Sequence, residues 1–411
     1  MKKSHILFTL FLFAGILISF NSCQKENSLE TATAEQHNEA TEVWTNVDEP
    51  TRELANSNEP TDALATRSND DNDDDGAVFV MSNATDDNKI LTYKRATNGM
   101  LTMAGSFSTG GKGTGAGLGS QNALLRTGNY LYACNAGSND FTVFKIKGST
   151  LTRLEKVASQ GTMPISITAE NELVYVLNAG GNGNIAGFSW GHNGHLAAIQ
   201  GSVRPLSTNA SGPAQIQFNP SGRVLVVTEK ATNKISTYEV GRNGVATAGV
   251  AHVSDGMTPF GFAFTYCGRL IVSNAAGGAA NLSTLSSYNV SNWGDLRVIS
   301  AQVADKQSAA CWVVVSNDNR YCYTTNTGSG NISGYRIDSR GGLSLLNADG
   351  VTATTGGGPI DFNFSENGRY LYTLNGRDRS VSIHRFNSNG ALTAVGTVAG
   401  LPMGSVGIAA K

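Results

Sequence analysis

One short pattern returns seven times between Ala77 and the C-terminus, and it limits the possible folds more than any other feature of the chain. Each copy is a strand of alternating apolar residues that ends in Asn, with one exception that ends in Glu229. The terminal residues lie 43 to 52 residues apart. The copies are Val78–Asn83, Tyr130–Asn135, Leu173–Asn178, Val224–Glu229, Leu270–Asn274, Tyr321–Asn326 and Tyr370–Asn375. Such a period is typical of architectures built from repeated units.

Each copy belongs to a unit of four short strands. A loop rich in Gly, Asn and Asp follows the terminal residue, and then come a second strand, such as Ile235–Tyr238, a Gly-containing turn and a third strand. Before the later copies lies another strand, such as Pro213–Phe218, which ends in a turn. Helical spacing of apolar residues is absent from the repeats, which argues against a helical solenoid. Four strands in about 45 residues predict one blade of a β-propeller.

The two ends of the repeat region complement each other. The first copy has no innermost strand before it, whereas Met403–Ala410 resembles an innermost strand with no partners after it. Pairing the two segments closes the ring and removes both free sheet edges. The sequence therefore predicts an all-β fold over residues 77–411. This fold is a seven-bladed β-propeller of four-stranded antiparallel blades, closed by the C-terminal strand.

The N-terminus predicts export and lipid anchoring. Lys2 and Lys3 precede the apolar run Ile6–Phe20, which has the length of a signal-peptide core rather than of a membrane span. Residues 1–22 are therefore predicted to be a signal peptide, followed by Cys23 in a position that resembles a bacterial lipoprotein box. An incidental cysteine in an ordinary secreted protein is the alternative. Gln24-Lys25-Glu26 resembles the surface-export signal of Bacteroidota lipoproteins. We expect an outer-membrane lipoprotein, periplasmic or exposed at the cell surface, which contacts the membrane only through its lipid.

The net charge of −2 hides a strong asymmetry. Residues 24–76 carry fifteen acidic and three basic side chains, and the propeller region carries a balance of +8. Residues 23–76 are therefore predicted to be the lipidated cysteine and a disordered acidic tether. The run Asp70–Asp75 lacks the spaced ligands of a calcium loop. No cysteine spacing indicates a metal, and we expect neither a metal nor a cofactor. Cys311 and Cys322 are expected as buried thiols, with a disulfide across a hairpin as the alternative.

Three segments carry a resemblance to a known family. Gly212–Arg223, Thr258–Arg269 and Gly358–Arg369 are similar to inner strands of lactonase-type propellers, which include 6-phosphogluconolactonases and carboxymuconate cyclases. The resemblance extends over residues 77–411. It implies a site on the top face, where the loops after the terminal Asn residues lie, and a His directly after the Pro that opens an inner strand. The equivalent positions here are Ile165, Ala214, Phe260, Cys311, Ile360 and Gly404.

None of these positions is His, and the six histidines of the chain are expected elsewhere. His5 lies in the signal peptide and His37 in the tether. His192 and His195 are expected in a turn on the bottom face, and His252 and His384 in outer strands. The histidine chemistry that the resemblance implies is therefore not carried over. The run Gly110–Thr114 lacks the spacing of a phosphate-binding loop, and it is expected to be a flexible loop on the top face.

Glu229 is the tentative catalytic candidate, because a Glu cannot shape the following turn as a short amide does. Its neighbour Lys230, together with Arg204, Arg377 and Arg379, is a candidate for anion binding on the top rim. A solvated loop pair and scattered surface arginines are the alternatives. The predicted function is a cell-envelope propeller that binds a small acidic metabolite, a glycan or a protein partner. A nucleic-acid partner is not expected. An active lactone hydrolase or muconate-cyclase-like lyase that uses Glu229 and the arginines is the alternative, and a surface scaffold is a third.

Overall fold

The computed structural model describes residues 76–192 and 194–411, so the predicted signal peptide, Cys23 and nearly all of the tether lie outside the described residues. The described part contains thirty β-strands and one 3-10 turn, Ala276–Gly278. None of its helices is both long and apolar enough to span a bilayer. The strands form seven separate antiparallel sheets of four or five strands, one for each predicted blade. The prediction of a seven-bladed β-propeller is confirmed.

The strands, numbered in chain order, fall into blades as follows. Blade 1 has β1 Ala77–Met81, β2 Lys89–Arg95 and β3 Leu101–Ser108. Blade 2 has β4 Leu124–Thr127, β5 Tyr130–Asn135, β6 Asp140–Lys147 and β7 Thr150–Ala158. Blade 3 has β8 Thr162–Glu170, β9 Leu173–Gly180, β10 Asn184–Trp190, β11 Leu196–Ala198 and β12 Arg204–Pro205. Blade 4 has β13 Pro213–Phe218, β14 Val224–Glu229, β15 Lys234–Glu239 and β16 Val250–Val253.

Blade 5 has β17 Pro259–Phe264, β18 Arg269–Asn274, β19 Thr284–Val290 and β20 Leu296–Ala304. Blade 6 has β21 Ala310–Val315, β22 Tyr321–Asn326, β23 Asn331–Ile337, β24 Leu343–Leu345 and β25 Ala353–Thr354. Blade 7 has β26 Pro359–Phe364, β27 Tyr370–Asn375, β28 Ser380–Phe386 and β29 Leu392–Ala399. The last strand is β30, Val406–Ala410.

The C-terminal strand closes the ring as the sequence predicts. β30 pairs antiparallel with β1, placing Val78 opposite Ala410 and Val80 opposite Ile408. The backbone N–H of Lys411 donates a further hydrogen bond to the carbonyl of Ala77 at 2.7 Å. β30 thus becomes the innermost strand of blade 1. Every residue of β1 and β30 is buried, so the closing pair is part of the core.

Three pairs of neighbouring blades are joined by tyrosines of their second strands. Each of these hydroxyls donates to the carbonyl of a Gly in an outer turn of the next blade. The pairs are Tyr175 with Gly244 at 2.6 Å, Tyr323 with Gly390 at 2.7 Å and Tyr372 with Gly99 at 3.0 Å. The three rings are fully buried. Buried tyrosines that keep their hydroxyls bonded combine apolar packing with fixed geometry, and here they link three of the blade boundaries.

In four blades the repeated Asn is packed beneath a Gly at the top of the blade. Asn375 shows the arrangement: its amide donates to the hydroxyls of Ser380 at 3.0 Å and Ser382 at 2.8 Å. A Gly in the preceding loop lies directly over the buried amide, with no room for a side chain. The Gly–Asn pairs of this kind are Gly111 with Asn135, Gly161 with Asn178, Gly256 with Asn274 and Gly356 with Asn375. The motif is therefore a packing device that repeats with the fold.

The cysteines of the propeller are free thiols. Cys311 is the second residue of β21, and Cys322 is the second residue of the antiparallel strand β22, where it pairs in register with Val315 at the other end of the hairpin. The two residues are thus at opposite ends of the strands. Burial raises the pKa of the Cys311 thiol to about 12, so it is protonated and unreactive near neutral pH.

Replacing Ile408 by Ala in the closing strand is expected to lower the free energy of unfolding by about 2 to 5 kcal/mol. Its side chain is 1 % exposed, so the substitution leaves a cavity in the seam between the first and last strands. Urea unfolding followed by circular dichroism measures the change. Val253→Ala in β16 is the control, because Val253 is 82 % exposed. Equal stabilities of the two variants would contradict the closing role of β30.

Candidate functional site

The central channel is crossed by residues 117–123, which we call the channel segment. It belongs to the loop between β3 and β4, and β4 is correspondingly short, with four residues against five to nine in the other innermost strands. The side chain of Gln121 donates to the carbonyl of Val313 at 2.7 Å and accepts from its N–H at 3.0 Å. The backbone N–H of Gln121 donates to Ala214 at 3.1 Å. The segment therefore reaches blades 4 and 6 from blade 2.

Two further contacts hold the channel segment at Ser120. Its hydroxyl donates to the carbonyl of Ile165 at 2.8 Å, and its own carbonyl accepts from the Trp312 indole at 2.9 Å. Cavities lie on both sides of the segment: residues 117–120 line one, and Gln121 and Asn122 line the other. We call these the upper and the lower cavity, since the first is lined by the starts of innermost strands and the second by their ends.

Lys230 points into the channel and contacts the channel segment. Its ammonium donates to the carbonyl of Gly119 at 2.5 Å and to that of Pro213 at 3.1 Å. It also lies 4.7 Å from the centre of the Phe260 ring, within the range of a cation–π interaction. Burial lowers the pKa of Lys230 to about 8. The predicted anion-binding Lys230 is thus engaged with backbone carbonyls that fix the segment.

The upper cavity has a volume of about 250 Å³ and is mostly apolar. Asp361 is the one charged residue among those that line it. The lining residues are Gly117, Leu118, Gly119, Ser120, Trp312, Ile360, Asp361, Val406 and Gly407. A carboxyl group in such surroundings is costly to ionise, and such groups mark candidate functional sites.

A bulge in β26 places the Asp361 carboxyl at this cavity. Pro359 pairs with Asn375, but the next pair in register is Phe362 with Thr373, so two residues are looped out of the ladder. Asp361 has φ = 62°, a left-handed conformation that Asp tolerates better than most side chains. Its two oxygens accept the N–H of Phe362 at 3.0 Å and that of Ile408 at 3.1 Å.

Burial dominates the proton affinity of Asp361. It raises the pKa of the carboxyl to about 7, although the two backbone hydrogen bonds act in the opposite direction. The group therefore changes its charge near neutral pH. Because its bond to Ile408 reaches β30, the charge also sits at the closing seam of the ring.

Asp361 follows directly after Ile360, the position that the family resemblance implied for a His. Both residues line the upper cavity. The strand pattern did not predict the bulge that brings the Asp361 side chain to this cavity. In the closing strand the looped-out residue is Gly407 rather than Gly404, which precedes β30. One signal was available: Asp361 is the one acidic residue inside an innermost strand, away from the strand ends.

Glu229 occupies the position of the repeated Asn and is fully buried. Its carboxylate accepts the N–H of Ser207 at 3.1 Å and the hydroxyls of Ser236 at 2.7 Å and Thr232 at 3.2 Å. The hydroxyl of Ser207 makes a further short hydrogen bond to it. Four donors thus satisfy the carboxylate between blades 3 and 4. Glu229 locks the preceding loop through Ser207, as the Asn residues do beneath a Gly.

The three candidate arginines are dispersed. Arg204 donates to the carbonyls of Gly201 at 2.6 Å, Val203 at 2.9 Å and Thr247 at 3.2 Å. It lines a side cleft of about 310 Å³ with Ser207 and Ser236, the partners of Glu229. Arg377 and Arg379 are exposed in the loop after β27, on the top of blade 7. The structure therefore brings Arg204 near Glu229 and leaves the other two arginines on a different blade.

The histidines of the described residues lie away from the upper cavity. His252 and His384 are in outer positions, where a ring nitrogen contacts the Thr237 hydroxyl and the Thr354 carbonyl, both at 3.0 Å. Burial lowers the pKa of His384. His195 lies 3.4 Å from Glu155 beyond the end of β10, and His192 is exposed in the same turn. Nowhere in the described ranges do three His, Cys, Asp or Glu side chains form a metal-binding group.

Fold and site together define a propeller with a small, mostly apolar cavity at the upper end of a divided channel. The chain belongs to the family described as "Lactonase, 7-bladed beta-propeller", whose model matches residues 74–205 and 283–408, more than half of the chain. The family that the inner strands suggested is thereby confirmed.

Known proteins resemble the chain in sequence and in fold. It is 26 % identical over 263 residues to the uncharacterized protein YwcC of Lactococcus lactis, covering 58 % of this chain and 72 % of that protein. A 6-phosphogluconolactonase candidate from Bacteroides uniformis matches with a TM-score of 0.65 at 17 % identity, over 82 % of this chain and all of its own. The periplasmic gluconolactonase PpgL of Pseudomonas aeruginosa matches with a TM-score of 0.64 at 16 % identity, over 82 % of this chain and 98 % of its own. These structural likenesses show the shared fold.

Asp361→Asn is expected to change how stability depends on pH. The folded pKa of about 7 lies above the ordinary value of 3.8, so the folded state binds the proton more tightly than the unfolded chain. The free energy of unfolding then falls as pH rises from about 4 to about 7, and the neutral Asn variant lacks this loss. Between pH 5 and pH 8 the wild-type protein should lose roughly 3 kcal/mol relative to the variant. Urea unfolding at the two pH values measures this difference.

Asp305→Asn is the matched control for this measurement. Burial raises the pKa of Asp305 to about 6, so its effect has the same sign, is smaller and ends at lower pH. Asn also suits the left-handed backbone at position 361, so the substitution itself adds little strain. A pH dependence that is the same in wild type and Asp361→Asn would contradict the assignment.

Proposed function

We propose that this lactonase-family propeller binds a small molecule in the upper cavity and that binding, rather than hydrolysis, is its function there. The observation that carries the proposal is the single buried carboxyl of Asp361 in an otherwise apolar cavity at the top of the channel. Concave, mostly apolar sites with a few placed polar groups are typical of small-molecule binding. A volume of about 250 Å³ suits a compact ligand.

The lining residues favour a particular kind of ligand. Each oxygen of Asp361 accepts one backbone N–H and retains capacity for a second hydrogen bond. The indole of Trp312 and the side chains of Leu118 and Val406 supply apolar contacts. We infer a neutral or cationic ligand that donates a hydroxyl or amino hydrogen to Asp361 and places an apolar face against Trp312.

Lactone hydrolysis is the second candidate, and one observation favours it. A carboxyl with a pKa of about 7 is suited to act as a general base near neutral pH. Ester hydrolysis also needs donors aimed at the developing oxyanion. The two side-chain donors at the cavity, the Ser120 hydroxyl and the Trp312 indole, already donate to backbone carbonyls. This engagement is why we place binding first.

The acidic metabolite, glycan or protein partner expected from the sequence would use a different part of the top face. Arg377 and Arg379 are exposed on blade 7 and do not line the upper cavity. We propose that a negatively charged partner contacts them there, since exposed arginines attract anions over the range of the Debye length.

Binding in the upper cavity can be tested on residues 23–411 with Cys23→Ser, using a panel of small lactones, hydroxy compounds and amines. We expect at least one compound to change the fluorescence of Trp312, which the Trp312→Phe variant should abolish. Asp361→Asn should weaken that binding about tenfold, because an uncharged amide oxygen accepts a weaker hydrogen bond than a carboxylate does. Glu229→Gln should leave it unchanged, since Glu229 faces the seam between blades 3 and 4. Absence of binding by the whole panel would overturn the proposal.

The same protein should hydrolyse the lactones no faster than buffer, as measured by proton release at constant pH. If hydrolysis is observed and Asp361→Asn abolishes it while the fold is kept, the hydrolase alternative replaces ours. If Glu229→Gln abolishes it instead, the site is the cleft with Arg204.

We propose in addition that the protein is an outer-membrane lipoprotein anchored at Cys23, with residues 24–76 as its tether. The support is the signal-peptide pattern before Cys23 and the acidic composition after it. In cells fed a labelled fatty acid, wild-type protein should carry the label and sediment with membranes. Cys23→Ser should lose the label, whereas Cys267→Ser, which removes the exposed cysteine of the propeller, should keep it. A labelled Cys23→Ser protein would refute the anchor.

A further inference from the structure

The lower cavity is a second pocket, separate from the upper one, and it has a different chemistry. It measures about 390 Å³ and is bounded above by Gln121 and Asn122 of the channel segment. Five carboxamide side chains are among its lining residues: Gln121, Asn122, Gln217, Asn317 and Asn363. Its size falls within the range of small-molecule sites.

Several of these amides have hydrogen-bonding capacity to spare. Among the described residues, the side chains of Asn122 and Asn363 have no hydrogen-bond partner, although both are half-buried. Gln217 accepts one hydrogen bond from Gln215 at 3.0 Å through its oxygen, which leaves its amide hydrogens available. These amides are available to a molecule in the channel.

The ceiling of the lower cavity is rigid. Gln121 is held by its paired hydrogen bonds to Val313, and the carbonyl of Asn122 accepts the N–H of Ile167 at 2.9 Å. Asn122 has φ = 63°, which Asn adopts more readily than most residues. A fixed array of polar groups binds a ligand without first paying the cost of ordering them.

The cavity has no uncompensated charge among its lining residues. Arg126 and Glu366 are its charged members, and they pair at 3.1 Å. Arg126 also donates to the carbonyls of Ala410 at 2.9 Å and Gly128 at 2.8 Å. An ionic ligand would therefore have to displace an existing pair, whereas a neutral ligand would not.

From this geometry we propose that the lower cavity binds a neutral monosaccharide or a polyol of similar size. Carboxamides both donate and accept, as hydroxyl groups do, so several amides around one cavity match a molecule with several hydroxyls. Phe264 and Phe364, which also line the cavity, supply aromatic surface for the C–H groups of a sugar ring. The ligand enters from the bottom face, because the channel segment closes the other end.

Saturation-transfer NMR and calorimetry with D-glucose, D-galactose, D-mannose and D-xylose test this inference on residues 23–411 carrying Cys23→Ser. We expect at least one sugar to bind with a dissociation constant of roughly millimolar strength, as befits a ligand of that size. D-glucuronate and D-glucosamine should bind more weakly, since each brings a charge. The proposal would be overturned if none of the four neutral sugars bound even at concentrations far above the millimolar range. Stronger binding of the charged sugars would also overturn it.

Variants then locate the site. Asn122→Gly keeps the left-handed backbone favourable while removing the amide, and Asn363→Ala removes the other unpartnered one. Each should weaken sugar binding about three- to tenfold, the effect of one lost hydrogen bond. If either variant fails to fold by circular dichroism, Gln217→Ala takes its place. Sugar binding that none of these variants weakens would show that the lower cavity is not the site.

Asp361→Asn separates this inference from the proposed function. The variant should weaken binding in the upper cavity and leave sugar binding unchanged, since the channel segment lies between the two cavities. Sugar binding that Asp361→Asn abolishes would assign the sugar to the upper cavity and overturn this inference.

Discussion

The pairing of β30 with β1 is the interaction on which the rest of this structure depends. A propeller of open blades would leave two sheet edges exposed and no fixed relation between the first and last blades. By joining the two ends of the propeller region in one blade, the pairing turns six inter-blade seams into seven. Every innermost strand then lies between the innermost strands of two adjacent blades. The channel that these strands surround therefore has a defined width.

A channel of fixed width makes the channel segment possible. In an ordinary blade the innermost strand pairs along its full length, but blade 2 has only Leu124–Thr127 for that purpose. The residues before it use the space inside the ring instead, and Gln121 satisfies backbone groups of blade 6 that a regular strand would leave to water. These hydrogen bonds are favourable because buried backbone groups must be paired. As a consequence, the channel segment divides one channel into two cavities.

The architecture was predictable because the sequence pattern of one blade occurs seven times in the chain. Seven copies of the Asn-terminated strand, together with the incomplete units at Ala77 and Met403, fixed the blade count and the closure. The candidate site was not repeated and was therefore harder to find. The departure of Glu229 from the Asn series did indicate a local difference, but its cause is internal packing: the carboxylate accepts hydrogen bonds from the backbone N–H and the hydroxyl of Ser207 in the preceding loop. Asp361 depends on a bulge and a positive φ, and neither follows from the strand pattern.

The hydrogen bond between Asp361 and Ile408 ties the site to the closure of the ring. Asp361 accepts the N–H of Ile408 in the closing strand, so the carboxyl obtains its full set of partners only when β30 has docked on β1. Without β30 the carboxyl would lose this partner and part of the burial that raises its pKa. The acid–base character of the upper cavity is thus a property of the closed ring, and any partner of Asp361 is linked by mass action to closure. A ligand bound to Asp361 would therefore stabilise the closed ring, and opening of the ring would weaken its binding.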